Sequence, residues 1–410
     1  MVKYSQIWIK EVFVIIRVYK LNFHTSQDNL NRLYTCNRVS AQIWNQCLEL
    51  AKDHYQKTNT WLNRKELHLA TKGQYPIHSQ SIQAVYERYL DARENARQAR
   101  PLGYTQIRYP YKEKHHYNTT WKKDGFRIGV KGRIELSLGL VEGKRQKPIT
   151  VRVAKLPPGQ IKEIELVYDR GLKLAITFED GIAPKENPAQ GQAAIDLGEI
   201  HTIASVTDQG QGLIITGRKV RSIKRLRNKK IKDLQRKIAH CQKGSRQWKK
   251  YRRALNYILS KSEAQLTDAL HKTTREFVHW CLENSVKDVV VGDVEGVQRH
   301  TSPKKKQNKR KRSRRTNQKL SQWTFGKTLR YLQYKLAAEG ISLKKVDEAY
   351  TTQTCPVCGK RRKPSSRNYR CVCGYVQHRD LHGASNILTQ HIYGHYQEIV
   401  LKDYKYLRIA

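Results

Sequence analysis

AAIDLGEIHTIASVTDQGQGLIITG, residues 193–217, is the stretch on which the fold turns. Three apolar runs, AAID, HTIASVTD and GLIITG, are separated by short segments carrying Gly and Gln. Runs of that length with turn residues between them read as three consecutive strands on tight connections. The first run ends in an acid, Asp196, just before Leu197 and Gly198. Downstream, two very basic helical patterns cover about residues 222–260, and a further helix runs through HKTTREFVHWCLE. DVVVG, 288–292, reads as a fourth strand, and the acids Asp293 and Glu295 follow its valines and Gly292. A basic loop, a helix in WTFGKTLRYLQYKLAAEG and a fifth strand in ISLKKVDEAY come next. HGASNILTQHI reads as the last helix.

Three strands, helix, strand, helix, strand, helix is the element order of a ribonuclease-H-like α/β domain. Upstream the pattern differs. Residues 26–98 are helical by period, and 102–182 hold short runs such as RIELSLG, ITVRVA and LKLAITF with turn signals between them. The N-terminal VFVIIRVYKLNF reads as one more strand of this β domain. APKENPAQGQ, 183–192, contains Pro and Gly and marks a linker. The expected organisation is α+β and multidomain. A β-barrel-like domain takes 1–25 and 101–182, with a helical insert at 26–100. The α/β domain takes 193–349 and 376–410, interrupted by a small module at 350–375.

With 79 Lys and Arg against 35 Asp and Glu, the 410-residue chain carries +44. A surplus of that size repels itself, so the expected partner is a polyanion. Residues 304–319 concentrate it, with ten basic residues and no acid: Lys304, Lys305, Lys306, Lys309, Arg310, Lys311, Arg312, Arg314, Arg315 and Lys319. Such a run orders on phosphates, or is a plain solvated loop or localisation-like tag. Lys224, Arg225 and Arg227 belong to a basic helix whose Leu and Ile recur at helical intervals, leaving a second face to follow a nucleic-acid backbone. No membrane role is expected. The apolar patch FVII is hemmed by Glu11 and Arg17, too short for a signal core or a spanning helix. The expected location is the cytoplasm, on the nucleoid when bound to DNA.

Of eight cysteines, Cys36, Cys47, Cys241 and Cys281 fall in helical patterns and read as buried apolar residues. Cys355, Cys358, Cys371 and Cys373 form two close pairs twelve residues apart. Two such pairs can place four thiolates in a tetrahedron around one structural Zn²⁺, leaving no open position for catalysis. Four free buried cysteines are the alternative. Among carboxylates, Asp196 ends a strand and Asp380 stands directly before the last helix, where simple capping is the competing role. Two-metal phosphodiester cleavage needs acids that hold ions roughly 3.5–4 Å apart, and a third acid usually fixes the second ion. HRDLHGASN, 378–386, is one residue off the spacing of a kinase catalytic loop, and no Gly-rich loop precedes it.

IDLGEIHTIA, the paired cysteines and HRDLHGASNIL, in that order, resemble the TnpB family, the OrfB-type proteins of insertion sequences related to compact type V CRISPR nucleases. The resemblance covers about residues 190–390. It implies a RuvC-like nuclease domain interrupted by a zinc ribbon, behind a wedge-like β domain with a helical recognition insert. It further implies a guide RNA, a double-stranded DNA target cut beside a short motif, and Mg²⁺ as catalytic ion, two per site. Asp196 matches the first RuvC acid and Asp380 the third. The family's middle glutamate, which ends strand four, is replaced here by Gly292. Asp293 is adjacent but points to the other face of the pleat. Glu295 lies beyond the strand end. Glu348 ends strand five, and neighbouring strands lie only ~4.8 Å apart, so a long side chain can reach across. Relocated glutamates occur in the family, and Glu348 is the expected third acid. The alternative is an RNA-guided DNA binder that no longer cuts and acts as a repressor.

Overall fold

The computed structural model describes residues 16–102, 104, 106–141, 143–294 and 313–409. The chain divides into two compact units, Met1–Ala183 and Pro184–Ala410.

The first unit is built on two antiparallel four-stranded sheets. One runs in the order Ile16–Leu21, Leu172–Glu179, Gln160–Tyr168, Thr119–Lys122. The other runs Phe23–His24, Ile149–Val153, Arg133–Leu136, Phe126–Ile128. Three helices, Gln27–Thr58, Arg64–Thr71 and Ser79–Ala99, complete it. Apolar periodicity misses the middle one, which buries only Leu67 and Thr71. Its start is nevertheless written locally: Asn63 and Glu66 form a reciprocal capping box. Leu33, Ile43 and Trp44 of the first helix share one core with Trp121, Ile134 and Ile164 of the sheets. Helices and sheets are therefore one folded body.

The second unit opens with β1 (Gly191–Asp196), β2 (His201–Thr207) and β3 (Gln211–Thr216). Helices α1 (Arg218–Ala239) and α2 (Arg246–Glu283) follow, then β4 (Val286–Gly292), α3 (Arg314–Ser321), α4 (Phe325–Ala338) and β5 (Ser342–Val346). The chain ends with β6 (Asn368–Arg370), β7 (Val376–His378), α5 (Arg379–Tyr393) and β8 (Asp403–Arg408). The main sheet runs β5-β4-β1-β2-β3-β8. β2 is antiparallel to both neighbours, whereas β1–β4, β4–β5 and β3–β8 are parallel.

Several expectations are corrected here. The second basic pattern and HKTTREFVHWCLE are one 38-residue helix, α2, because no Gly or Pro interrupts it. The break before it comes at Gly244, at φ +87°. β5 stops at Val346, two residues short of Glu348. Asp380 is not ahead of α5 but inside its first turn, with His378 at the N-cap. Cys241 is half-exposed and lies past the end of α1. β8 has no signature in the sequence, because DYKYLR is almost wholly exposed and offers no apolar face.

Alternation along the central strands decides which residues can meet. Ala193, Ile195, Val289 and Val291 pack against Phe277 and Trp280 of α2 and Leu332 of α4. Ala194 and Val290 face the other way, onto Ile387 and Leu388 of α5. Ile195 pairs with Val291, so Asp196 and Gly292 come next in line, both on the α5 side.

Candidate active site and metal centre

On that side, α5 runs across the carboxyl ends of β1 and β4. A Cβ built on Gly383 would lie 2.6 Å from Asp196 Oδ2. A glycine in a helix interior costs about 1 kcal/mol relative to alanine, and here it makes room for a carboxylate. Gly292 has a parallel role. A Cβ there would lie 2.4 Å from Glu348 Oε2, 3.0 Å from Glu348 Cβ and 3.0 Å from Ile387 Cδ1. The Glu348 side chain occupies the space that a side chain at 292 would need.

Asp196 feels the charge of both other acids. Burial, then the charges of Glu348 and Asp380, push the Asp196 carboxyl well above its ordinary range. Burial, then Asp293 and Asp347, push Glu348 up to about 7. Asp380 goes the other way: burial opposes ionisation, but the hydrogen bond and charge of His201, with His378 and Arg367, outweigh it and hold the carboxyl low. With its proton on Nδ1, His201 donates to Asp380 Oδ2 at 2.5 Å. The Arg367 guanidinium lies 3.5 Å from the same oxygen. His201, His378 and Asp380 thus form a compact cluster.

Asp196 of β1 therefore lies within electrostatic range of both Glu348, from the segment after β5, and Asp380 of α5. Asp293 is exposed, and its backbone N–H donates to the Val346 carbonyl at 2.8 Å. Glu295 lies outside the described residues. Sequence reasoning missed His201, Arg367 and Gly383. Of these only Gly383 left a signal, as a helical glycine with no cap or turn to explain it.

The four cysteines also converge. Cys355 Sγ and Cys373 Sγ are 3.6 Å apart, and Cys358 Sγ and Cys371 Sγ 3.4 Å. Four Zn–S bonds of about 2.3 Å in a tetrahedron put sulfurs about 3.8 Å apart, so the donor set fits Zn²⁺ and suggests a structural zinc. Gly359 and Gly374, after the two pairs, sit at φ +70° and +94° and let the backbone turn under the sulfurs. The first knuckle precedes the β6–β7 hairpin and the second lies in its turn, and the module is fastened to α5. Asn386 Nδ2 donates to the carbonyls of Thr351 and Thr354 at 2.7 and 2.8 Å. Tyr369 stacks on His382 with ring centres 4.0 Å apart.

Of the basic residues singled out, Lys224, Arg225 and Lys319 line a single cavity. Arg227 is half-buried on the same helix, and its Nε makes no hydrogen bond. Arg314 is exposed at the start of α3, and Arg315 follows it in the helix. Lys304, Lys305, Lys306, Lys309, Arg310, Lys311 and Arg312 lie outside the described residues. Among the described residues, no helix is long and apolar enough to cross a membrane.

Residues 175–298 match the OrfB/IS605 family, described as "Probable transposase". Residues 325–387 match the Cas12f1-like TNB domain, which brackets the cysteines. The chain belongs to the TnpB/OrfB family. Within its circle, the TnpB-like protein MJ0751 of Methanocaldococcus jannaschii is 24% identical over 273 residues, 65% of this chain and 91% of that one. The CRISPR-associated endodeoxyribonuclease Cas12f2 of a Micrarchaeota archaeon is 31% identical over 175 residues, 41% of this chain but only 29% of that one. Among solved structures, Cas12f1 in its complex with sgRNA and target DNA superposes with a TM-score of 0.62 at 14% identity. That match covers 88% of this chain and 83% of Cas12f1, and gives this family member a Cas12f-like α+β fold.

Proposed function

We propose that this protein is an RNA-guided, metal-dependent DNA endonuclease of a transposable element. Its second unit would be a ribonuclease-H-like RuvC domain carrying a zinc ribbon, and its partners a guide RNA and double-stranded target DNA. The single observation that carries the reading is the Glu348 carboxylate filling the space above Gly292, beside Asp196. Strand order and donor set support it. Asp196, whose affinity for protons is raised by burial and by the charges of Glu348 and Asp380, is a carboxyl that a hard divalent cation would relieve, and oxygen ligands suit Mg²⁺. When bound, Mg²⁺ activates water and stabilises the charge that develops on the phosphodiester. Asp196 would hold ions from the end of β1, and Glu348 from the segment after β5. Asp380 binds from α5, oriented by His201 and by Arg367 of the ribbon. Lys224, Arg225, Lys319 and the basic segment before α3 contact nucleic-acid backbone, while the guide reads target sequence by base pairing.

A second reading, a nuclease-silent RNA-guided DNA binder, is favoured by Gly292 standing where the family's glutamate is usual. The two part in one experiment. The protein, purified with co-expressed RNA, is offered matching DNA over a randomised flank in Mg²⁺. Cut product beside a preferred flank is expected, and tight, RNA-dependent binding without product would sink the nuclease reading.

The raised carboxyls also set a pH dependence. Glu348 rises from an ordinary 4.5 to about 7, so the unfolded chain loses that proton first. Metal-free stability therefore falls as pH climbs through that window. Mg²⁺ needs the ionised form, so its stabilising thermal shift is expected to grow between pH 5.5 and 8. In Glu348→Gln the pH-dependent part should flatten. An equal shift at both pH values in the parent protein would count against Glu348 as a ligand.

A further inference from the structure

Between α1 and the segment following α3 lies a cavity of about 510 Å³, lined also by Gly198 and Glu199 of the β1–β2 turn and by Thr202 of β2. Small-ligand sites run roughly 300–1,000 Å³, so this one could take a guest the size of a nucleotide. Five cations line it: Arg218, Arg221, Lys224, Arg225 and Lys319. The one acid in the lining, Glu199, is already engaged by Arg221 at 3.3 Å. Burial, then the charge of Arg227, bring Lys224 down to about 8; an anion beside it would push it back up. The cavity is built for negative charge.

Part of its wall answers to something else. Trp323 is half-buried there. Beside it the side-chain amides of Asn228 and Gln322 exchange two hydrogen bonds, at 3.0 and 3.1 Å, and tie α1 to the segment after α3. A site for phosphate alone needs neither an indole nor amides. Cations together with an aromatic face and amide groups are what an unpaired nucleotide asks for: charge for phosphate, a ring for the base, amides for its edge.

The turn gives the location. The β1–β2 turn carries Asp196 at one end and, at the other, His201, which holds Asp380. We propose that this cavity receives one unpaired nucleotide of the DNA strand presented for cleavage, its base against Trp323 and its phosphate among Lys224, Arg225 and Lys319. The choice of strand rests on the endonuclease reading; the pocket itself does not.

The test uses the full chain with its co-purified RNA, in EDTA so that nothing is cut. Single-stranded DNA and RNA of one sequence, each carrying 5-bromouracil, are photo-crosslinked to it, and adducts are mapped by mass spectrometry. DNA should give an adduct on Trp323. Trp323→Leu should weaken DNA binding about tenfold, and Trp323→Phe, which keeps a ring, should recover most of it. Lys224→Gln should lower the salt dependence of binding by about one counterion. Adducts at Trp323 with RNA alone, adducts on the lysines without Trp323, or unchanged DNA affinity in Trp323→Leu would each overturn the proposal. Because no step requires cleavage, a protein that crosslinks at Trp323 yet never cuts loses only the nuclease reading. One that cuts but shows no adduct there loses only the pocket.

Discussion

Glu348→Ala is expected to reduce DNA cleavage by about a thousandfold or more, the scale of several kcal/mol of transition-state stabilisation lost with a metal-binding acid. RNA and DNA binding should persist, because Glu348 is not among the cations and amides that line the basic cavity. Gly292→Glu in the otherwise unchanged protein should fail as badly. Its Cβ would stand 2.4 Å from Glu348 Oε2, and two carboxylates would compete for one space. The informative variant combines them. With Glu348 cut back to alanine, the pocket above position 292 opens, and a glutamate there points to the α5 side, as Asp196 does. We expect the double variant to recover at least tenfold of the lost activity, limited by Ile387 Cδ1 and by the Cβ that alanine keeps at 348, each 3.0 Å from the new Cβ. Cleavage that survives Glu348→Ala would refute the assignment outright. A swap that restores nothing, in a folded protein that still binds DNA, would show that the two positions are not equivalent.

That experiment also marks how far the sequence could be read. The order of strands and helices in the second unit is written in short β-branched runs and turn residues, and the pleat alone puts Asp293 on the opposite face from Gly292. The cysteine spacing likewise announces a four-sulfur site. What alternation could not supply is distance across the sheet. That Glu348 reaches over Gly292 depends on β5 stopping at Val346, and strand ends are set by neighbours as much as by propensity. The grip of His201 on Asp380 joins residues 179 positions apart, and no local pattern encodes such a pairing. β8 is the opposite case, an edge strand held by backbone pairing to β3 with side chains left in solvent. Only Leu407 reaches the core, so the strand's sequence has no period to show.

On the endonuclease reading, loss of the zinc held by Cys355, Cys358, Cys371 and Cys373 is expected to abolish cleavage, although none of these cysteines is a ligand proposed for Mg²⁺. A structural zinc site of this kind contributes on the order of 10–16 kcal/mol to folding its module, far more than the short β6–β7 hairpin could gain from its own pairs. Without metal, residues around the cysteines should lose their fixed conformation. The consequence travels by named contacts. Arg367 would leave Asp380, Asn386 would lose the carbonyls of Thr351 and Thr354, and the Tyr369 ring would come away from His382. Burial holds that imidazole down at about 4, so it is neutral in the stack and has no charge to compensate it once exposed. Thr351 also follows Glu348 closely, its N–H donating to the Glu348 carbonyl at 3.2 Å, so two of the three acids lose support together. Cys355→Ser, or chelation of the parent protein, should remove about one zinc per chain and cut cleavage at least a hundredfold. Hydrogen exchange should accelerate over 350–378 and the first turns of α5, while the first unit stays protected. Full cleavage by a zinc-free preparation would show that the acids are held without the ribbon.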